Sequence, residues 1–171
     1  MQYSNMDAPT PMMPVLFVDD SREDLALATR VFMQCGILNP LQPMHSGREC
    51  LDYFNLTGEK AAGTLPCIVF LDLVMKPVSG IEVLRQLRDK PAAKGSILVM
   101  LSGVSDYCMV RDGYQLGAAT FVVKPLTSEE ILRTFRNLRG VTLRPQSDGY
   151  VVVPSAAEER VRPLEQSSVA P

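Results

Sequence analysis

Apolar residues along this chain gather in five short blocks, with a helical period after each. Val15–Val18, Leu41–His45 (weaker, and split by Pro43), Cys67–Leu71, Ile97–Leu101 and Ala119–Val123 have strand length. After them, apolar positions recur three and four residues apart: Leu25, Ala28, Val31, Phe32 and Cys35; then Cys50, Leu51 and Phe54; then Ile81, Val83, Leu84 and Leu87. Residues 106–116 repeat the pattern less strongly, and Ile131, Phe135 and Leu138 close it. Near-continuous apolar runs, rather than alternating ones, belong to strands covered on both faces. Five strands alternating with five helices predict a (βα)5 unit. Right-handed crossovers then close it as a doubly wound parallel sheet of the α/β class.

Start and stop signals set the limits. Ser21 caps the first helix, with Glu23 and Asp24 in its first turn, where negative charge suits the helix dipole, and Gly36 ends it. Ser46 caps the second helix, and residues 57–66 read as a loop. Ser79 or Gly80 opens the third helix, Pro91–Gly95 breaks it, and Gly117 stops the fourth. Thr127 or Ser128 caps the last, followed by Glu129 and Glu130. Residues 1–13 read as a flexible leader and 14–139 as the domain. Residues 140–171, with four prolines, read as a disordered tail too short for an output domain. Tyr150–Val153 is the one part of it able to add a strand or dock.

Composition narrows the classes. At 171 residues, 46% hydrophobic and 21% charged, the chain reads as a soluble globular protein. A formal net charge of −2 gives no bulk attraction to nucleic acid or anionic membrane. Cys35, Cys50, Cys67 and Cys108 lack zinc or redox spacing and read as buried free thiols. With no signal-peptide pattern and no membrane-length apolar run, the expected location is cytoplasmic.

The candidate chemistry lies where the strands end. Asp19 and Asp20 follow the first strand, Asp72 the third, Ser102 the fourth and Lys124 the fifth. In an open parallel sheet the carboxyl edge is where sites form. Three carboxylates, a hydroxyl and an ammonium gathered there suit a divalent cation and a phosphoryl group.

The segments Phe17–Ser21 (FVDDS), Phe70–Gly80 (FLDLVMKPVSG), Met100–Gly103 (MLSG) and Gly117–Pro125 (GAATFVVKP), in this order and spacing, resemble the receiver domain of two-component response regulators. The resemblance covers residues 14 to 139 and implies a flavodoxin-like fold with strand order 2-1-3-4-5. It also implies Asp72 as phosphoacceptor, and Mg²⁺ (or Mn²⁺) held by Asp19, Asp20, Asp72 and the Val74 backbone carbonyl. Lys124 and Ser102 then stabilise the phosphoryl group, Ser102 and Phe121 form the switch, and Pro125 follows a cis peptide bond. Implied partners are a sensor histidine kinase or phosphotransfer protein, a downstream protein target, and a second copy through the face built by the fourth helix, fifth strand and last helix. Arg133, Arg136 and Arg139 form a basic stripe on that last helix, by default a solvated face and alternatively part of that contact. Direct nucleic-acid or membrane binding is not implied, nor is turnover of an external substrate. The Asn39–Pro40 turn and Leu51–Asp52–Tyr53 resemble the small receivers that accompany bacterial phytochromes.

Two departures from the receiver pattern stand out. Receivers commonly carry Pro four residues after the phosphoacceptor; here Lys76 stands there, with Pro77 next. Val74 and Val104 occupy positions that tune hydrolysis in the family, and two apolar side chains there imply slow autodephosphorylation. The lone His45 reads as structural. An alternative is a receiver-fold scaffold that works without phosphorylation, which the intact acid set opposes. A haloacid-dehalogenase-type phosphohydrolase would need an acid at the position Val74 occupies.

Overall fold

The computed structural model describes residues 12–60, 66–103 and 107–155, the side chains of 56–60 and 107–108 excepted. In chain order the elements are β1 (Val15–Val18), α1 (Arg22–Gln34), β2 (Leu41–Met44), α2 (Gly47–Lys60), β3 (Ile68–Asp72) and α3 (Gly80–Arg88). A single 3₁₀ turn (Pro91–Ala93) follows, then β4 (Ile97–Ser102), α4 (Tyr107–Gln115), β5 (Thr120–Val123) and α5 (Ser128–Asn137). A hairpin of β6 (Val141–Gln146) and β7 (Gly149–Pro154) ends the described chain. The first five strands form one parallel sheet in the order β2-β1-β3-β4-β5, as expected for the flavodoxin-like fold.

Period-two alternation divides the strands between two cores. Val15 and Phe17, Ile68 and Phe70, Val99 and Leu101 face α1 and α5, where Phe32, Ile131 and Phe135 meet them. Leu16 and Val18, Val69 and Leu71, Leu98 and Met100 face the other layer, with Leu51, Phe54, Val83, Leu84 and Leu87. In the first core the Phe17 and Phe70 rings stack at 4.6 Å between centroids, and Phe32 and Phe135 pack edge-on against them. Each fully buried side chain of this size contributes about 1.5–3 kcal/mol of hydrophobic stabilisation. With both faces covered, the strand ends are the open part of the sheet. Among the described residues, no helix is long and apolar enough to cross a membrane.

The caps fall where the sequence puts them. Ser21, Ser79 and Thr127 each accept the backbone N–H three residues on, and Glu130 completes a capping box with Thr127. On α2, Ser46 accepts the Glu49 N–H, and the Glu49 carboxylate reaches back one residue beyond that cap to accept the His45 N–H. His45 is exposed just past the end of β2. Arg133 and Arg136 are exposed on α5, and Arg139, expected on the same helix, is exposed in the turn just past its end at Asn137.

Three expectations need correction. α2 does not end near residue 56 but runs to Lys60, carrying Gly58 inside its last turn, so only the end of the predicted 57–66 loop remains non-helical among described residues. Met13, assigned to the leader, is buried in the first core, and its N–H reaches the Val152 carbonyl. The stretch after Gly140 is not a disordered tail as far as residue 155. It forms the β6–β7 hairpin, turned by Ser147–Asp148, which adds Val141 and Val152 to the first core. Pro145 pairs with Tyr150 within the ribbon and does not break it, because a two-stranded ribbon is all edge and tolerates a missing N–H. Residues 1–11 and 156–171 lie outside the described residues.

Candidate functional site

β1 sits between β2 and β3, so the connections leaving β1 and β2 run to opposite sides of the sheet. That switch point opens a crevice beyond the carboxyl ends of β1 and β3. Asp19 and Asp20 leave the end of β1, and Asp72 is the last residue of β3. One carboxylate oxygen from each of the three lies within 4.8 Å of the others. Asp19 and Asp72 are buried and Asp20 is exposed.

Lys124, one residue past β5, reaches across β4's end to the same point. Its Nζ lies 2.5 Å from Asp19 Oδ2, 2.9 Å from Asp24 Oδ2 and 3.2 Å from Asp72 Oδ1. The Lys124 backbone N–H donates to the Ser102 carbonyl at 2.9 Å, so the buried Ser102 and the lysine are tied at adjacent strand ends. The Lys124–Pro125 peptide bond is cis, as the resemblance implies.

Around the acids the backbone is held closely. Asp19 Oδ1 accepts the Ser21 N–H at 2.8 Å and Asp20 Oδ2 the Lys76 N–H at 3.0 Å. The Lys76–Pro77 departure therefore folds back on the acidic cluster; this second X–Pro bond is also cis, which the sequence did not announce. Gly80 lies against the end of β3, where an added Cβ would sit 2.1 Å from the Asp72 carbonyl oxygen, so only glycine fits. Val74 is 58% exposed beside the cluster. Val104 lies outside the described residues. Phe121 is half-buried against α4, its ring over Gly113 and 4.8 Å from that of Tyr114.

The electrostatics follow from three carboxylates, Asp19, Asp24 and Asp72, sharing one ammonium, with Asp20 beside them. Burial raises the Asp72 carboxyl above the usual aspartate value; Asp19 adds to the rise, while Lys124 and the Val74 N–H oppose it without cancelling it. Partial burial works against the Lys124 ammonium, but hydrogen bonds to Asp19 and Asp24 and the charge of Asp72 outweigh it, lifting its pKa above that of an ordinary lysine. A surplus of negative charge on hard oxygen donors remains. That donor set fits a hard divalent cation of the Mg²⁺ type.

The family model for the response regulator receiver domain matches residues 15–136. This chain belongs to the response regulator receiver family. Its acidic cluster is the kind of pocket in which receiver domains bind Mg²⁺. The receiver is similar to the bacteriophytochrome response regulator AtBRR, at 30% identity and TM-score 0.69, covering 80% of this chain and 99% of that one. It is also similar to the bacteriophytochrome response regulator RtBRR, at 25% identity and TM-score 0.70, covering 88% of this chain and 89% of that one. Among curated proteins, the probable methanogenesis regulatory protein FilR2 of Methanothrix harundinacea is 28% identical over 125 residues, 73% of this receiver and 80% of FilR2.

The structure thus brings together Asp19, Asp20, Asp72 and Lys124, with Ser102 at the neighbouring strand end. Sequence reasoning missed Asp24 and the close fit of Gly80. Asp24 was explained fully by the helix dipole, and no local signal ties it to a residue one hundred positions away. The tight packing of Gly80 was hidden behind its place at a helix start.

Proposed function

We propose that this receiver accepts a phosphoryl group on Asp72 from a phosphohistidine on a partner kinase or phosphotransfer protein, with Mg²⁺ as cofactor. The observation that carries the reading is the Lys124 Nζ–Asp72 Oδ1 contact of 3.2 Å within an acid cluster able to hold a divalent cation. An Asp72 oxygen attacks phosphorus, forming the new P–O bond as the donor's P–N bond breaks and the imidazole leaves to be reprotonated. Asp19, Asp20, Asp72 and the Val74 carbonyl would hold the metal, which supplies neutralisation of charge on the transferring group. Lys124 gives one N–H to a phosphoryl oxygen and Ser102 donates its hydroxyl to another. This is catalysis by positioning and charge, with no external substrate turned over.

The signal then passes through packing. Ser102 moves toward the phosphoryl group and Phe121 turns into the space it leaves, giving up its seat over Gly113. The altered α4–β5–α5 surface, with the basic stripe of α5, engages a downstream protein or a second copy. The likeness to AtBRR and RtBRR supports a photoreceptor-linked kinase as the donor.

Intact-mass measurement after incubation with acetyl phosphate tests the chemistry. A single phosphoryl adduct is expected with Mg²⁺, none in EDTA and none in Asp72→Asn. An adduct that persists in Asp72→Asn overturns the assignment.

A further inference from the structure

Asp24 stands apart from the three-acid cluster, yet it contacts the same ammonium. On the phosphoacceptor reading above, we infer that Asp24 is a positioning residue. It offers Lys124 a carboxylate that neither the metal nor the phosphoryl group needs, so the ammonium can release Asp19 and Asp72 and stay paired.

The accounting of donors and acceptors leads there. An ammonium has three N–H bonds, and Lys124 faces three carboxylates, Asp19, Asp24 and Asp72, at 2.5, 2.9 and 3.2 Å. Both oxygens of Asp19 are already engaged, one by the Ser21 N–H and the other by Lys124. A cation bound by Asp19, Asp20 and Asp72 draws on two of the three partners of Lys124. The lysine side chain is only 22% exposed, so water cannot fully replace them. Asp24 is the remaining partner, and it takes no part in the acid cluster.

The fold fixes Asp24 in this role. Ser21 Oγ accepts the Asp24 N–H at 3.2 Å, and the next residue, Leu25, is buried, so the first turn of α1 cannot rotate away. Asp24 and Lys124 also border a cavity of about 210 Å³ floored by Phe17, Leu25, Ala28, Leu101 and Leu126. The lysine stem has room there to lean toward Asp24 over an apolar floor.

The test compares Mg²⁺ dissociation constants by titration calorimetry in wild type, Asp24→Asn, Asp24→Glu, Glu23→Gln and Lys124→Met, and in Asp24→Asn and Glu23→Gln each combined with Lys124→Met. Glu23 is exposed in the same helical turn, so Glu23→Gln removes an equal charge without touching Lys124. Asp24→Asn is expected to weaken Mg²⁺ binding about two- to fivefold beyond Glu23→Gln. In the Lys124→Met background, Asp24→Asn does no more than Glu23→Gln, and Asp24→Glu restores affinity where Lys124 is present. Equal effects of Asp24→Asn and Glu23→Gln in the wild-type background overturn the inference. So does an Asp24→Asn effect of the same size with and without Lys124. A wild type that binds Mg²⁺ but takes no phosphoryl group overturns the phosphoacceptor reading instead, leaving the metal comparison to decide Asp24.

Discussion

At the scale of single residues, the site is a contest among like charges that one lysine moderates. The chemistry-bearing types (Asp19, Asp20, Asp72, Ser102, Lys124) were legible in the sequence because each follows an apolar strand, where a polar residue must sit at an edge. Asp24 was not, because its partner comes from the far end of the chain and its own position had a sufficient local explanation. Val74 stands exposed beside the acids and offers water no hydrogen bond. The phosphorylated protein should therefore lose its phosphoryl group slowly. The Val74→Asn/Val104→Glu variant is expected to dephosphorylate at least severalfold faster, followed by intact mass over time. Equal decay in the two proteins would contradict that role for Val74 and Val104.

Among the elements, the β6–β7 hairpin is the addition to the receiver core that the sequence showed only in part: Tyr150–Val153 reads as able to add a strand and lies within β7, while its partner β6 carries no such signal. Its valines were visible, but Pro145 and Pro154 read as interruptions, and a ribbon that needs few N–H donors accommodates them. The buried Asn39 fastens it: its amide donates to the Met13 and Val152 carbonyls at 2.9 and 2.6 Å, and its oxygen accepts the Val152 N–H at 2.7 Å. Gly149 meets Gly36 so closely that a Cβ would fall 2.0 Å from the Gly36 carbonyl oxygen. Asn39→Ala leaves buried backbone groups unpaired and is expected to cost about 2–3 kcal/mol in urea unfolding, with the strand order intact. A loss below about 0.5 kcal/mol would mean that water or a shifted hairpin satisfies those groups. The four described caps and the five strands of the receiver core needed no such correction, since each cap is set by side chains within three or four residues of it.

Across the whole molecule, two apolar layers enclose the sheet and leave its carboxyl edge open for chemistry. The same enclosure explains the thiols, which the sequence read correctly as buried for Cys35, Cys50 and Cys67; the side chain of Cys108 lies outside the described residues. Burial raises all three, and Cys67 and Glu49 help push Cys50 up to about 12. In a Cys108→Ser background the native protein is expected to resist Ellman's reagent at roughly pH 8 and to react only on unfolding. The native state holds these protons where the unfolded chain, titrating near about 8.5, releases them. Stability is therefore fully present below that pH and falls as pH rises toward the native values, by at most about 1.4 kcal/mol per pH unit for each thiol. Urea midpoints measured across that alkaline range check the slope; a flat profile contradicts it. On the proposed function, the enclosed sheet presents Asp72 as the phosphoacceptor. The direct measurement is to phosphorylate the protein with acetyl phosphate and Mg²⁺, reduce it with borohydride, and sequence its peptides by mass spectrometry. Homoserine at position 72 alone is the predicted result, and homoserine at Asp19, Asp20 or any other acid, with Asp72 unchanged, would contradict it.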